Sequence, residues 1–383
     1  MTRKLNIGFF TDTFTPRIDG VVTSIKIFQN ELEKQGHKVY IFAPTPKLAD
    51  DQINIFRFHS VKFIFQPEAR FAVPYSWQAD KRINSLNLDI VHAHTPFSLG
   101  IFAKYVADDR YIPFVQTFHT LYPEYLHYIL GSIARHSLAK QAGKDIVKFL
   151  YNRSDFIIAP SVKIKKYLQV ECGVRKPIEV LSTGIDLDNF KGIDKKIFRQ
   201  QYKIDDKDKI LLFIGRLGKE KNLEFLFYSL AKIKDDKVKL LLIGDGPEKN
   251  NLVALAKKLN LEGRIIFAGY IPRKNIPFAL AGSDIFVFAS KTETQGLVLL
   301  EAAAVKKPIV AVHDAVIEEF VKDDVNGLIS HLRPNMFAKK IETLLNNKKL
   351  RQKFAKNSGK IAKEFSQYNQ TKKLVKVYNR LLK

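Results

Sequence analysis

The sequence predicts an α/β protein of two doubly wound, Rossmann-like domains facing each other across a cleft. Three observations predict it. The chain has 383 residues, more than one ordinary core accommodates and suited to two domains of average size. Short runs rich in Ile, Val and Phe alternate with helical segments, the pattern of buried parallel strands joined by helical crossovers. A polar, charged stretch from Lys191 to Lys209 interrupts that pattern, which then starts afresh.

In the first half the strands are KLNIGFF, KVYIFAP, LDIVHAH, IPFVQTF and SDFIIAPS. In the second they are KILLFIGR, VKLLLIGDG, RIIFAGY, SDIFVFAS and PIVAVHD. Pro334 to Lys383 reads as helices alone. The predicted domains are residues 1–190, joined by a final helix at about 366–383 that crosses back, and residues 205–365. Open α/β sheets bind ligands beyond the carboxyl ends of their strands. The residues just after strands are therefore the informative ones: Asp12 to Gly20, His94, His119, Arg216 to Lys221, Gly244 to Gly246 and Glu293 to Gly296.

Composition narrows the class. An apolar fraction of 46% argues against disorder. No run of 18 apolar residues is present, so no bilayer-spanning helix is expected. The opening MTRKLNIGFFTDTF reads as a buried first strand rather than a signal peptide. The one cysteine, Cys172, excludes an internal disulfide and a cysteine-based zinc site, and fits a reducing cytoplasm. The net charge of +24 points to a polyanionic partner, either an anionic membrane or nucleic acid, with general solubility the plain alternative.

FIGRLGKEKN ends a strand and opens a helix. Arg216 can fork onto phosphate oxygens, Lys221 adds a movable charge, and the helix start adds N–H donors. This suits a diphosphate. The P-loop and dinucleotide glycine fingerprints are absent. In SKTETQGLVLLEAAA, Glu293 sits in the loop after a strand and Glu301 two turns into the following helix. Between them Gly296 lets the backbone come close. Carboxylates accept hydrogen bonds from hydroxyls, so this pair can hold a sugar at one end and a ribose at the other. A metal pair and a plain helix-end charge are the alternatives. IGDGPE, with Gly244, suits a tight turn at least as well as a ligand contact, and its Pro247 suits the first turn of a helix. Gly20 in TFTPRIDGVVTS can bring N–H groups to a phosphate. His92 and His94 share a strand face, but no third metal ligand is evident. His119, at a strand end, is a candidate for a hydrogen bond to substrate.

Taken in order, the Gly20 loop, DIVHAHTP, QTFHT, IIAPS, GRLGKEKN, IGDGPE and the Glu293–Glu301 segment resemble the retaining family 4 glycosyltransferases of GT-B fold. The resemblance covers most of the chain. IDGVVTS, TFHTLYPEY and SKTETQGL resemble, more narrowly, the bacterial diacylglycerol glucosyltransferases, in which Gln295 replaces the usual aromatic residue before the glycine. The resemblance implies that Arg216 and Lys221 bind the donor diphosphate and that Glu301 holds the ribose. It assigns the transferred sugar to Glu293, Gly296, Leu297 and His119, and closure over the phosphate to Gly20. Asp12 and Tyr122 are weaker candidates at the acceptor. The implied reaction moves glucose from UDP-glucose to the 3-hydroxyl of 1,2-diacylglycerol, with another nucleotide sugar or a non-lipid acceptor as the alternative. No tightly bound cofactor and no obligatory divalent metal are expected, with Mg at the site as the alternative. Front-face attack is expected, with a covalent intermediate as the rival. The Asp186–Asp188 pair reads as a turn.

A diacylglycerol acceptor requires a docking surface on an anionic membrane and a peripheral place on its cytoplasmic face. In ARHSLAKQAGKDIVKFL, Lys140, Lys144 and Lys148 recur on one helical face, with Ile146, Val147, Phe149 and Leu150 nearby. FHSVKFIFQPEARFAVPYSW adds Phe63, Phe65, Phe71 and Trp77. From Lys339 onward stand 14 basic residues against 2 acidic ones, a further basic surface. A nucleic-acid-binding protein would need the charge but not the Arg216, Lys221, Glu293 and Glu301 set, so no nucleic-acid partner is expected.

Overall fold

The computed structural model describes residues 3–17, 19–45, 54–63, 66–72, 83–119 and 137–383. The chain divides into two units. The first comprises Met1–Gly184 and Gln367–Lys383, the second Ile185–Ser366.

The first unit is built on a seven-stranded parallel sheet in the order β3-β2-β1-β6-β7-β8-β9. Its strands are β1 Asn6–Phe10, β2 Lys38–Pro44, β3 Ile55–Phe58, β6 Ile90–Ala93, β7 Phe114–Thr117, β8 Phe156–Ala159 and β9 Ile178–Val180. A separate antiparallel pair, β4 Ser60–Phe63 and β5 Gln66–Ala72, stands where aromatic surface residues were read from sequence.

Both faces of the large sheet are covered, which explains its continuously apolar strands. Because side chains alternate, Phe9 points to one face and Phe10 to the other. Phe9, Ile41, Ile90 and Val115 pack with Ile25, Phe28 and Leu32 of the helix Gly20–Lys34 and with Leu374, Val377 and Tyr378 of the last helix, Gln367–Leu381. Phe10, Phe42 and Val91 pack with Leu99, Phe102 and Val106 of the helix Ser98–Asp109. Asp19 caps the first helix, its carboxylate accepting the Val22 N–H at 2.9 Å.

The second unit carries a six-stranded parallel sheet in the order β12-β11-β10-β13-β14-β15. Its strands are β10 Lys209–Ile214, β11 Val238–Ile243, β12 Ile265–Gly269, β13 Ile285–Phe288, β14 Ile309–Val312 and β15 Gly327–Ser330.

The boundary between the units falls at Gly184/Ile185, earlier than the residues 190 and 205 expected from sequence. The charged break is not a linker. Asp194 caps a helix, Lys195–Gln201, whose Phe198 is buried in the second core. Arg199 donates to the carbonyls of Gly282 (3.1 Å), Asp205 (2.6 Å) and Asp208 (2.9 Å). One buried aromatic and one arginine fork attach a stretch most of whose other charges are exposed. The Asp186–Asp188 pair forms a turn: Asp186 caps the short 3₁₀ helix Leu187–Phe190.

Candidate active site

In the second sheet, β10 lies between β11 and β13, and the crossovers on its two sides run in opposite directions. The carboxyl ends of β10 and β13 therefore flank a topological switch point, the place where open α/β sheets receive ligands. Arg216, Gly218 and Lys221 leave β10 here; Glu293 and Gly296 leave β13.

The two loops are tied together. The Glu220 carbonyl accepts the Lys291 N–H at 3.2 Å and the Ser290 hydroxyl at 3.3 Å. Lys221 Nζ then meets Glu293 Oε1 at 2.5 Å, with only 20% and 12% of the two side chains exposed. Lys221 closes a 3₁₀ turn, Lys219–Lys221, and Asn222 follows in the left-handed region (φ 53°) before the helix Leu223–Leu230. Arg216 is exposed at the turn just after β10.

Gly244, at the end of β11, supports this loop from the side. A Cβ there would lie 2.0 Å from the Gly215 carbonyl oxygen, so only glycine allows β10 and β11 to end this close. That packing duty accounts for Gly244. Pro247 stands two residues before the helix Lys249–Lys258 rather than in its first turn.

Gly296 adopts a left-handed conformation (φ 68°, ψ 47°) and starts the helix Leu297–Ala304. Gln295 is buried beside it. Glu301 is buried on this helix, and Arg273 Nη2 donates to its Oε1 at 2.8 Å. Burial pushes the Glu301 carboxyl above its ordinary range, and Arg273 pulls it back. Arg273 is the residue that sequence reasoning missed. It follows β12 in GYIPRKN, where Pro272 precedes a 3₁₀ turn, Arg273–Asn275, that presents the side chain. A basic residue just after a strand was the available signal.

In the first unit, β1 and β6 flank the corresponding switch point. Asp12, expected at the acceptor, has both carboxylate oxygens engaged. Ser98 Oγ donates to one at 2.5 Å with the Leu99 N–H at 2.9 Å, and Thr95 Oγ1 donates to the other at 2.7 Å. Asp12 thus anchors the β1 loop to the start of the helix Ser98–Asp109. Gly20 is exposed at the first position of its helix, and a Cβ there would meet nothing within 4 Å.

The paired strand histidines have different surroundings. His92 is buried with both ring nitrogens bonded, Nδ1 to the Tyr378 hydroxyl at 2.6 Å and Nε2 to Thr117 Oγ1 at 2.7 Å. It joins the sheet to the last helix and has no lone pair left for a metal. His94 Nδ1 lies 3.1 Å from His119 Nε2, so the predicted sugar-contacting histidine leans on a buried one. Burial lowers His92 to about 3 and His94 well below its ordinary value, and nearby histidines push both the same way. Burial lowers His119 to about 4, although Asp19 favours its charged form.

Of the predicted membrane residues, Tyr122 (named for the acceptor), Phe65 and Trp77 lie outside the described residues. Phe63 and Phe71 lie in β4 and β5, and Lys140 in the helix Ser137–Tyr151. Lys144 pairs with Glu171 at 2.9 Å, while Lys148 is exposed. The apolar residues divide: Val147 and Tyr151 are buried, but Ile146 (56%) and Phe149 (62%) are exposed.

Two parallel α/β units of this kind have the architecture of GT-B glycosyltransferases, and solved structures bear this out. The chain superposes on the Anabaena protein Alr3699/HepE in complex with UDP with a TM-score of 0.76 at 20% identity, covering 98% of this chain and 100% of that one. It superposes on the sucrose-phosphate synthase of Thermosynechococcus elongatus with a TM-score of 0.77 at 17% identity, covering 99% of each. In sequence, residues 18–189 match Glycosyltransferase Family 4 and residues 194–361 match Glycosyl transferases group 1. The alpha-monoglucosyldiacylglycerol synthase of Streptococcus pneumoniae is 33% identical over 94% of this chain and 85% of its own length. The enzyme of the same name from Acholeplasma laidlawii is 29% identical over 85% of this chain and 84% of its own. The chain belongs to glycosyltransferase family 4 and is a glycosyltransferase. No helix among the described residues is long and apolar enough to cross a membrane.

Proposed function

We propose that this glycosyltransferase moves glucose, with retention, from UDP-glucose to the 3-hydroxyl of 1,2-diacylglycerol at an anionic membrane surface, making alpha-monoglucosyldiacylglycerol. The observation that carries the reading is the Lys221–Glu293 pair at the β10–β13 switch point. There a cation for a leaving diphosphate and a carboxylate for sugar hydroxyls are held side by side. Two relatives named for this product, one of them 33% identical, support the lipid acceptor. The Anabaena neighbour, solved with UDP-glucose, supports the donor.

Arg216 and Lys221 stabilise the charge that grows on the diphosphate as the anomeric bond breaks. An ammonium carries three donors, so Lys221 can hold Glu293 and a phosphate oxygen together. Glu301, oriented by Arg273, accepts from the ribose hydroxyls. Glu293 with the backbone at Gly296 and Leu297 holds the glucose, and His119 and Gly20 keep the sugar and phosphate roles that the sequence resemblance implies. The acceptor hydroxyl attacks the face that the diphosphate leaves, and the leaving phosphate takes its proton. With two cations on the diphosphate, no divalent metal is needed for this step.

Docking is assigned to the helix Ser137–Tyr151. Its exposed Ile146 and Phe149 stand among Lys148 and Arg153, and the Arg153 guanidinium lies 5.3 Å from the Phe149 ring centre. Val170, 80% exposed, adds apolar surface beside Glu171. Apolar side chains ringed by cations suit an anionic interface.

The test is turnover of labelled UDP-glucose in mixed micelles of an anionic phospholipid and diacylglycerol, with and without chelator. A labelled glycolipid, formed equally with chelator and converted by mild alkali to labelled glucosylglycerol as its acyl esters are cleaved, is the expected result. Transfer only to a soluble sugar, or only from another nucleotide sugar, would replace this reading with its family-4 alternative.

A further inference from the structure

Three imidazoles stack at the carboxyl ends of β6 and β7. The His92 and His94 ring centres are 4.4 Å apart at 27°, those of His94 and His119 5.3 Å apart at 23°. Phe9 stands edge-on to the first two. His92 is fully bonded, as described. His94 is buried, and its Nε2 has no hydrogen-bond partner among the described residues. One hydrogen therefore lies between His94 Nδ1 and His119 Nε2, and the question is which ring owns it.

Two arrangements of neutral rings are available. If His119 carries its proton on Nε2 and donates, His94 must carry its own on Nε2, where it becomes a buried N–H without an acceptor. If His94 carries its proton on Nδ1 and donates, its Nε2 is left as a bare lone pair. Orphaned buried N–H groups are the rarer and costlier defect. Protonating either ring to satisfy both is opposed by burial, which holds both histidines well below their ordinary values. The second arrangement wins, and it leaves only Nδ1 for the His119 proton.

We propose that His94 is a positioning residue: by donating from Nδ1 it locks His119 in the Nδ1–H tautomer, so that His119 offers the transferred sugar a hydrogen-bond donor rather than an acceptor. This rests on the reading of His119 as a sugar contact. Its ligand on that edge is a hydroxyl oxygen of the hexose.

The experiment is a long-range ¹H–¹⁵N correlation spectrum of the full chain labelled at histidine, at neutral pH, with assignments from His119→Asn and His94→Asn. His119 is expected to show a protonated Nδ1 and a bare Nε2. A protonated Nε2 overturns the proposal. The kinetic arm compares His94→Phe, which keeps a ring and loses the donor, with His94→Asn, whose amide sits near the Nδ1 position. His94→Phe should lower kcat about tenfold with UDP affinity unchanged, and His94→Asn should recover most of it. A wild-type kcat in His94→Phe also overturns the proposal. Should His94→Phe fail to fold, the spectrum of the unsubstituted protein decides alone. If His119 is the Nδ1–H tautomer but His119→Ala turns over normally, the sugar-contact reading fails while the tautomer assignment stands.

Discussion

Lys221 and Glu293 meet at 2.5 Å although 72 positions separate them, because β13 lies beside β10 in the sheet. Their pairing ties the two loops of the switch point together. It also holds a positive and a negative charge side by side at the ends of the two strands.

That double duty can be separated. Lys221→Ala leaves Glu293 mostly buried without its partner, which should cost about 1–3 kcal/mol of stability and lower kcat by about 100-fold or more. The double variant Lys221→Met/Glu293→Gln removes both charges and should regain most of the stability but none of the activity. Urea midpoints and product formation read the two effects. A double variant as unstable as the single one would show that the loops are held by other means.

Arg273 should control the nucleotide through Glu301. Burial already raises the Glu301 carboxyl, and Arg273 is the group that lowers it. In Arg273→Ala the carboxyl rises further, so it protonates at a higher pH, and it loses the donor that orients it toward the ribose. UDP affinity should fall about tenfold at neutral pH, with the acid limb of binding moved upward. Arg273→Lys should restore part of it. Calorimetric titration across pH checks both.

The histidine stack should make the protein sensitive to acid. His92 at about 3 and His119 at about 4 both lie below the unfolded value of about 6.5. Between about pH 4 and pH 6.5 the unfolded chain therefore binds more protons, and stability falls as pH falls. Above about pH 6.5 these residues contribute no slope. Denaturant midpoints from pH 8 to pH 4.5 should be flat and then decline, and kcat/KM should show no inflection near pH 6.5 from His119.

Ile146→Ser/Phe149→Ser should weaken sedimentation with anionic vesicles at least tenfold, since each buried apolar side chain contributes about 1.5–3 kcal/mol. Lys148→Glu should weaken it and flatten its salt dependence. Both variants should melt like the parent, because these side chains are exposed. Undiminished binding by the double variant would move the docking surface elsewhere.

Strands with four or more consecutive apolar residues were legible because both their faces are buried. The exceptions show the limit. IFRF in β3 carries Arg57, whose guanidinium bonds the carbonyls of Pro44 and Thr15 at 3.1 and 3.0 Å. β15 is the short GLIS. Neither differs locally from a loop. The helix around Phe198 was hidden in the same way by the charges on its outer face.

The sequence by itself determined that this chain alternates strands and helices, that the pattern runs twice, and that Arg216, Lys221, Glu293, Glu301 and His119 stand just past strands. All of that follows from local periodicity and from which residue types suit a strand end. Only the tertiary structure decided that Lys221 meets Glu293, that Arg273 serves Glu301, that Asp12 is taken up by a helix start, and that His94 stands behind His119. Each of these depends on which strands lie side by side and which atoms become buried. Strand order and burial are properties of the whole sheet, and no window of neighbouring residues contains them.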